Sequence, residues 1–334
     1  MVRKQIEVGI DIGNDGEQPR IGFQTYIPNR MQGFGGESQR RVPLDAQKFP
    51  DYVQLVMKRG IPKAKINNCP QCIGPLDYCH KKCQQECEIF AQCMINSPTQ
   101  FVDRFVTSPS PGIVSTTMLN AFYDSHESYL FALADEMQKE YELIYSQGLI
   151  LQIDAPDLLM DRTIAFQDLS LKEYYETIEL HVEAINRATI NIPKENIRLH
   201  TCWGNYDGPH IDDVNFSSMI DILYKVKAGA LLLPFANPRH QHEYHVLRKF
   251  PLPDTMLLIP GVIDTTTCYV EHPEVVCNRI CQAIETVGDK TRVIAGCDCG
   301  FGTFTGYEMV PESIVWEKLK TLKKGAELAS EIFF

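Results

Sequence analysis

The sequence predicts an α/β protein with parallel strands joined by helices, and a (β/α)8 TIM-type barrel is its leading form. Short apolar segments that end in Gly, Asp, Asn or Pro recur along the 334 residues. Their apolar runs are continuous more often than alternating, which is typical of strands buried on both faces. Helical patterns lie between most of them, and this alternation favours a parallel sheet with helical crossovers. An open doubly wound sheet is the second choice.

Seven segments are predicted to be strands. In chain order they are EVGIDIGND, RFVTSPSPG, GLILQIDAP, NIRLHTCWG, GALLLPFANP, MLLIPGVIDT and RVIAGCDCG. No Gly-x-Gly-x-x-Gly follows the first of them, which weakens a dinucleotide-binding interpretation.

Three longer segments are predicted to be amphipathic helices: SHESYLFALADEMQKEYELIYSQG, SLKEYYETIELHVEAINRAT and HPEVVCNRICQAIETVG. In the first, six apolar residues share one helical face and Gly148 predicts the end. The six are Tyr129, Leu130, Leu133, Met137, Tyr141 and Ile144.

The composition and net charge indicate which kinds of partner the protein is expected to bind. Hydrophobic residues make up 44% of the chain, charged residues 22%, and the net charge is −11. This charge opposes phosphate backbones and anionic membranes, so neither nucleic acid nor membrane is an expected partner. No run of 18 apolar residues occurs and the first residues lack a signal-peptide apolar core, so we expect a cytoplasmic protein.

Polar residues gather where the predicted strands end. In a barrel these carboxyl ends share one face, where catalytic groups collect, so residues far apart in sequence are expected to converge. The residues concerned are Asp15, Glu17, Asp154, His200, Cys202, Asn237, Asp264, Cys297, Asp298 and Cys299.

Two pairs of these residues have the spacing of metal ligands on a strand. Residues i and i+2 of a strand point to the same side, so His200 can face the same side as Cys202, and Cys297 as Cys299. Thiolate and imidazole are the ligands that zinc prefers. The pairs predict a zinc site, while buried thiols with no metal remain the alternative.

Seven motifs give the chain a resemblance to a known family. They are DGEQPR, GFGGES, LQIDAPDL, LHTCWGNYDGPH, FANPRH, IPGVIDTTTCYVEHPE and AGCDCGFGTF, in this order between about residues 5 and 305. They resemble the cobalamin-independent methionine synthase superfamily, and within it the stand-alone catalytic-domain branch, which is related to epoxyalkane:coenzyme M transferase.

The resemblance implies a barrel whose zinc ion activates a small thiol for alkylation. The family's His-x-Cys ligands match His200 and Cys202, and its late cysteine matches Cys299. The first-loop glutamate falls on Glu17 and a strand-end aspartate on Asp154, which in methionine synthases bind the substrate's amino group. Asp264 is then a candidate catalytic residue, as is Asp154.

We accordingly predict a zinc-dependent transferase of alkyl or methyl groups. Its partners are a small thiol and an alkyl donor, and Asn205 is expected to contact a substrate together with Asp264. A zinc-dependent lyase or hydrolase and a non-catalytic barrel subunit are the alternatives.

Three departures from the family pattern affect this prediction. Pro234 stands where relatives carry a glutamate ligand, so the fourth ligand is either missing or supplied by Cys297, Glu243 or water. Thr266 stands where methionine synthase has a histidine. The family's first βα unit, with its GSYPRP-like motif, is not found before the first strand. A partner polypeptide, a homo-oligomer or a later-starting gene model is the expected explanation.

A cysteine-rich insert is predicted within the single domain 1–334, over residues 66–95. Cys79, Cys83 and Cys87 are spaced by four, which predicts one stripe on a helix, and INNCPQCIG predicts a hairpin. Cysteines packed as small apolar side chains are the leading interpretation. A second metal site, suggested by Cys69-x2-Cys72, and redox-active or disulfide cysteines are the alternatives.

Overall fold

The computed structural model describes residues 1–59, 69–97 and 100–334. Its strands are β1 Ile12–Gly13, β2 Met31–Gly35, β3 Gln71–Tyr78, β4 Asp103–Pro109, β5 Ile150–Asp154, β6 Ile197–His200, β7 Ala230–Leu233, β8 Leu257–Ile263 and β9 Gly296–Cys297. Its helices are α1 Val2–Glu7, α2 Leu44–Lys48, α3 Pro50–Arg59, α4 Lys81–Ile95, α5 Pro111–Thr117, α6 His126–Ser146, α7 Leu171–Ala188, α8 Phe216–Leu223, α9 Tyr244–Lys249, α10 Pro273–Val287 and α11 Glu312–Phe333.

Seven parallel strands form one sheet in the order β1-β4-β5-β6-β7-β8-β9. The sheet curls, because the loop after β1 meets the loop after β9: Gly22 pairs with Phe304, and the Thr305 amide donates to Ile21 O at 3.0 Å. The curled parallel sheet confirms the α/β, TIM-like part of the prediction. The absence of a first βα unit stays a prediction.

The three predicted helices form as α6, α7 and α10, whereas α11, the longest helix described, was not predicted. Ser125 begins α6 with a reciprocal capping contact to Ser128, and the predicted apolar stripe is buried along the whole helix. Glu140 joins that stripe as a fully buried charge, which hydrophobic periodicity does not predict. In the described part of the chain, no helix is long and apolar enough to cross a bilayer.

Within residues 69–95, the described part of the cysteine-rich segment forms one strand and one helix. β3 pairs antiparallel with β2, and α4 buries Cys83 and Cys87 beside Phe90 and Met94. Cys79 is exposed and precedes the helix, so the predicted stripe of three cysteines is wrong at its first position. The burial favours the packing interpretation, whereas the hairpin prediction partly falls on residues 66–68, which lie outside the described ranges.

Buried ion pairs attach α4 to the first loop of the barrel. Glu86 on α4 accepts from Arg30 and, at 3.2 Å, from Arg20 Nε. Arg30 also donates to Glu140 Oε2 of α6 at 3.0 Å. Moving Arg20 away from Glu86 would leave buried charges unpaired, which is costly. These contacts therefore hold Arg20 in position.

Candidate metal centre

Three soft ligands converge at the carboxyl ends of β6 and β9. His200 is the last residue of β6, Cys202 follows it by two, and Cys299 follows β9 by two. One candidate ligand atom from each lies within 4.8 Å of the others. His200 and Cys202 are buried, and Cys299 is half-buried at the wall of a cavity. The structure therefore brings together three of the four predicted ligands.

The electrostatics of this group favour a thiolate at Cys202, while the hydrogen bond with Cys202 raises the pKa of Cys299. A hydrogen bond from Cys299, and a second from the His200 imidazole, hold the pKa of Cys202 well below its ordinary value despite burial. Burial disfavours charge on His200, but Cys202 and Asp154 together raise the pKa of the imidazole. The Nδ1 atom of His200 is buried and makes no hydrogen bond of normal geometry, although the Leu232 carbonyl is near enough to the imidazole to help raise its pKa. A buried polar atom without a well-formed hydrogen bond is an observation that a ligand would explain.

Cys297 does not join the group. It packs instead against the apolar cluster of β8, α10 and α11, where burial raises the pKa of its thiol to about 12. The reason is that the chain bends at Asp298 and Cys299, so the two-residue alternation of a strand stops at the end of β9. Glu243 contacts His240 and His242 at 3.9 and 3.6 Å rather than the cysteines.

Pro234 lies on the same cavity wall as Cys299. Of the residues the structure describes, His200, Cys202 and Cys299 alone form this group. A tetrahedral metal ion held by these three residues would have a fourth position left for a further ligand.

Glu17 and Asp154 are the acidic side of the site. Asp154 is the register partner of His200 on the neighbouring strand. Burial, and then the charge of Asp154, raise the pKa of Glu17 to about 7, although Arg20 and Thr107 oppose the rise. Burial likewise raises the pKa of Asp154. Two carboxyl groups that repel each other, one buried and one half-buried, are suited to hold a cation between them.

A hydrogen-bonded chain positions Glu17. Its Oε1 accepts from Thr107 Oγ1 at 2.6 Å, and Arg20 Nη1 donates to the carbonyl and hydroxyl of Thr107 at 2.9 and 3.0 Å. Glu17 has a φ of +53°, a left-handed conformation that is uncommon for residues other than glycine. Such strain persists only where surrounding contacts maintain it, and it clusters at functional sites.

Asn205 and Asp264 are tied into loops of the barrel. The Asn205 amide donates to Gly300 O at 2.7 Å and accepts from Thr265 at 2.8 Å, which links the loops after β6, β8 and β9. Asp264 accepts from Thr266 and Thr267 and so caps its own turn. This geometry gives both residues a loop-positioning role. Asp264 also lines the cavity, whereas its catalytic role stays a prediction.

Further polar residues border the same cavity of about 210 Å³. His210 and His240 line it, and Asp213 joins the two imidazoles. Sequence reasoning did not single out these three, although NYDGPH and NPRH carry both histidines inside motifs of the resemblance. Asp298, whose pKa burial raises to about 7, accepts from the amides of Ala236 and Asn237 and fixes the loop after β7.

The fold and the site define a parallel barrel-type α/β protein with a sulfur- and nitrogen-rich candidate metal centre at the strand ends. No protein-family profile matches the chain. It is 24% identical over 329 residues to the methionine synthase of Thermococcus kodakarensis, covering 98% of this chain and 80% of that protein. It is 28% identical over 172 residues to the 2-hydroxypropyl-CoM lyase of Xanthobacter autotrophicus, covering 44% of each.

A solved structure has a similar fold. It is a B12-independent methionine synthase from Shewanella sp. W3-18-1 in complex with selenomethionine, with a TM-score of 0.70 and 17% identity. The match covers 99% of this chain and 86% of that one. Together these relatives confirm the resemblance to the cobalamin-independent methionine synthase superfamily, and the relatives carry the names of enzymes.

Proposed function

We propose that this protein is a zinc-dependent enzyme that transfers an alkyl or methyl group to the sulfur of a small thiol. The observation that carries the proposal is the convergence of His200, Cys202 and Cys299 within 4.8 Å, beside a cavity. One imidazole and two thiols are a donor set for zinc, and the Nδ1 of His200, which lacks a hydrogen bond of normal geometry, supports an occupant. Zinc bound there lowers the pKa of an incoming thiol, so that its sulfur is a nucleophile near neutral pH.

The carboxyl groups of Glu17 and Asp154 bind the polar end of the thiol. Each has its pKa raised by burial, and the two repel each other. A substrate ammonium group between them relieves this repulsion and keeps both ionised. The proposed substrate is therefore a small thiol with a cationic end, and Arg20 and Thr107 hold Glu17 in place for it.

The donor side is the cavity lined by Asp264 and Thr266. A volume of about 210 Å³ is small, so the reacting end of the donor enters rather than a whole large cofactor. A methyl-folate, a methyl-corrinoid and an epoxide are the donor classes to test. Thr266 in place of the family's histidine argues against methyl-folate.

The proposal includes a second polypeptide chain that pairs with the edge strands of the sheet. β1 and β9 are two-residue strands at the two ends of the strand order. Unpaired strand edges favour pairing with another chain, so we expect a homo-oligomer or a partner polypeptide beside them. Size-exclusion chromatography with light scattering tests this, and a monodisperse monomer contradicts it.

Metal analysis followed by an alkylation assay tests the function. The unmodified protein is expected to hold about one zinc equivalent in the cysteine site. It should alkylate an amino-thiol such as homocysteine with at least one donor class. Cys202→Ser and Cys299→Ser are expected to lose both properties, while Cys93→Ser, an exposed cysteine on α4, retains them.

Two results would change the assignment. Zinc retained in full by the Cys202→Ser, Cys299→Ser double variant rejects the proposed ligands. Bound zinc with no thiol alkylation from any donor favours the non-catalytic subunit, and turnover without a thiol favours the lyase or hydrolase.

A further inference from the structure

We propose that His210, Asp213 and His240 bind a second divalent transition-metal ion, such as zinc, on the wall of the same cavity. One candidate ligand atom from each lies within 4.8 Å of the others. His210 and His240 line the cavity, and Cys299 of the first site lines it as well. The second site shares no ligand with the first, so its existence does not depend on the proposed function.

Two of the three donor–donor distances are near those that a bound ion requires, and the third is within 4.8 Å. Asp213 Oδ2 lies 3.0 Å from His210 Nδ1 and 2.8 Å from His240 Nε2. Ligands of a tetrahedral ion at about 2.0–2.1 Å are separated by only slightly more than this. The side chains of His210, Asp213 and His240 are 11%, 3% and 6% exposed, so bulk water does not compete strongly for the ion.

The remaining ring nitrogens have the surroundings of metal-bound histidines. A ligating histidine usually donates its other N–H to a carbonyl or a carboxylate. His210 Nε2 lies 3.1 Å from Tyr206 O. His240 Nδ1 is buried without a hydrogen-bond partner, and Glu243 Oε1 stands 3.9 Å from it. Glu243 is therefore the candidate acceptor for the second N–H of His240.

Both imidazole rings are held before any ion arrives. Trp203 stacks on His240 with ring centroids 3.7 Å apart and planes 4° from parallel. Tyr206 packs over His210 at 4.1 Å. His210 has a φ of +53°, and its amide donates to Asp45 Oδ2 at 2.7 Å, which maintains this strained backbone. Locked side chains of this kind characterise a preorganised site.

The donor chemistry indicates the class of ion. Two imidazoles and one carboxylate suit zinc and other first-row divalent metals, and they suit calcium or magnesium poorly. Three protein ligands leave positions open toward the cavity. A metal here therefore presents a Lewis acid to whatever enters that cavity, in addition to the one proposed at the cysteines.

Reconstitution of metal-free protein with cobalt(II) tests the proposal. The unmodified protein is expected to bind two equivalents, with sulfur-to-cobalt charge-transfer absorption from the cysteine site only. Asp213→Asn and His240→Gln should each lose one equivalent and keep that absorption. The Cys202→Ser, Cys299→Ser double variant should lose the absorption and keep one equivalent. His245→Gln, an exposed histidine one turn beyond the site, is the matched control.

Distinct results separate this proposal from the proposed function. If Asp213→Asn and His240→Gln bind as much cobalt as the unmodified protein, the second site is rejected and the three residues form a hydrogen-bonded network only. If the unmodified protein binds one equivalent without sulfur absorption, and Asp213→Asn abolishes it, the second site stands and the cysteine site fails. Should the variants not fold, anomalous diffraction from cobalt-soaked crystals of the unmodified protein decides: a peak among the three side chains supports the site, and its absence rejects it.

Discussion

Asp154 and His200 are register partners at the carboxyl ends of two neighbouring strands, β5 and β6. The pairing sets a carboxyl group beside the imidazole of the candidate metal centre, and the charge of Asp154 helps to raise the pKa of His200. The acidic half of the site is thereby coupled to the metal-binding half. Substitution of Asp154 is therefore expected to act on the imidazole as well as on substrate binding, so its test needs two thiols that differ in the amino group.

Asp154→Asn is expected to weaken binding of a thiol that carries an amino group. Losing one charge-assisted contact costs about 1.5–3 kcal/mol, or about a tenfold to hundredfold rise in KM. The matched measurement uses a second thiol of similar size without the amino group, for which KM should change little. Asp103→Asn is the control, because Asp103 begins β4 and so lies at the amino ends of the strands, away from the site. Equal loss for both thiols would contradict the assignment.

Glu17→Gln is expected to make stability less dependent on pH. The pKa of Glu17 is raised from an ordinary 4.5 to about 7, so the folded state binds its proton more tightly than the unfolded state. Its contribution to stability is fully present below pH 4.5 and is lost as pH rises through about 7. Glutamine stays neutral, so the variant should gain in melting temperature relative to the unmodified protein between pH 5 and 8.

Thermal unfolding of the metal-free proteins across this range checks the expectation for Glu17. Asp298 titrates in both proteins and therefore cancels in the difference. A difference in melting temperature that is constant with pH would mean that Glu17 is not the titrating group.

Pro234→Glu is expected to strengthen zinc binding. Pro234 lies on the cavity wall with Cys299, and the resemblance predicts that relatives carry a carboxylate ligand at this position. A fourth protein ligand that reaches the ion should raise zinc affinity at least about tenfold. Competition with a chromophoric chelator measures the affinity. Pro234→Gln makes the same backbone change without the charge, so equal affinities of the two variants would argue against ligation.

Glu86→Gln is expected to destabilise the fold and to disturb Glu17 from a distance. Glu86 pairs with Arg20 and Arg30 inside the protein, and breaking such a buried pair costs about 3 kcal/mol. Urea unfolding measures this loss, for which Glu88→Gln on the exposed side of α4 is the control. Because Arg20 holds Thr107, which holds Glu17, KM for the amino-thiol should rise in the same variant.

The parallel α/β architecture and the approximate strands and helices can be predicted from the sequence. A strand that is buried on both faces has a continuous apolar run, and a helix with one buried face has apolar residues at a period of about 3.6. The convergence of strand ends follows from the same logic. His200, Cys202 and Cys299 could therefore be placed together from their positions after β6 and β9. Local capping, as at Ser125, is equally a property of the local sequence.

Tertiary structure alone decided which of two similar cysteines enters the site. The sequence gives Cys297 and Cys299 the same i, i+2 relation as His200 and Cys202. However, Cys297 ends β9 and packs against the apolar cluster of β8, α10 and α11, and the bend at Asp298 and Cys299 breaks the i, i+2 relation between the two cysteines. The alternation of side chains holds only while a strand continues. The end of a two-residue strand is set by packing against neighbouring elements rather than by its own residues.

The His210, Asp213 and His240 group has the same explanation. The loop after β6 supplies two of its residues, and the loop after β7 supplies the third. Loop conformation depends on distant contacts, such as the Asp45 carboxylate that fixes His210 and the Trp203 ring that stacks on His240. No pattern within either segment encodes those contacts. The sequence by itself determined the strand ends that can carry chemistry, and the folded chain decided which side chains meet there, because their meeting depends on long-range packing.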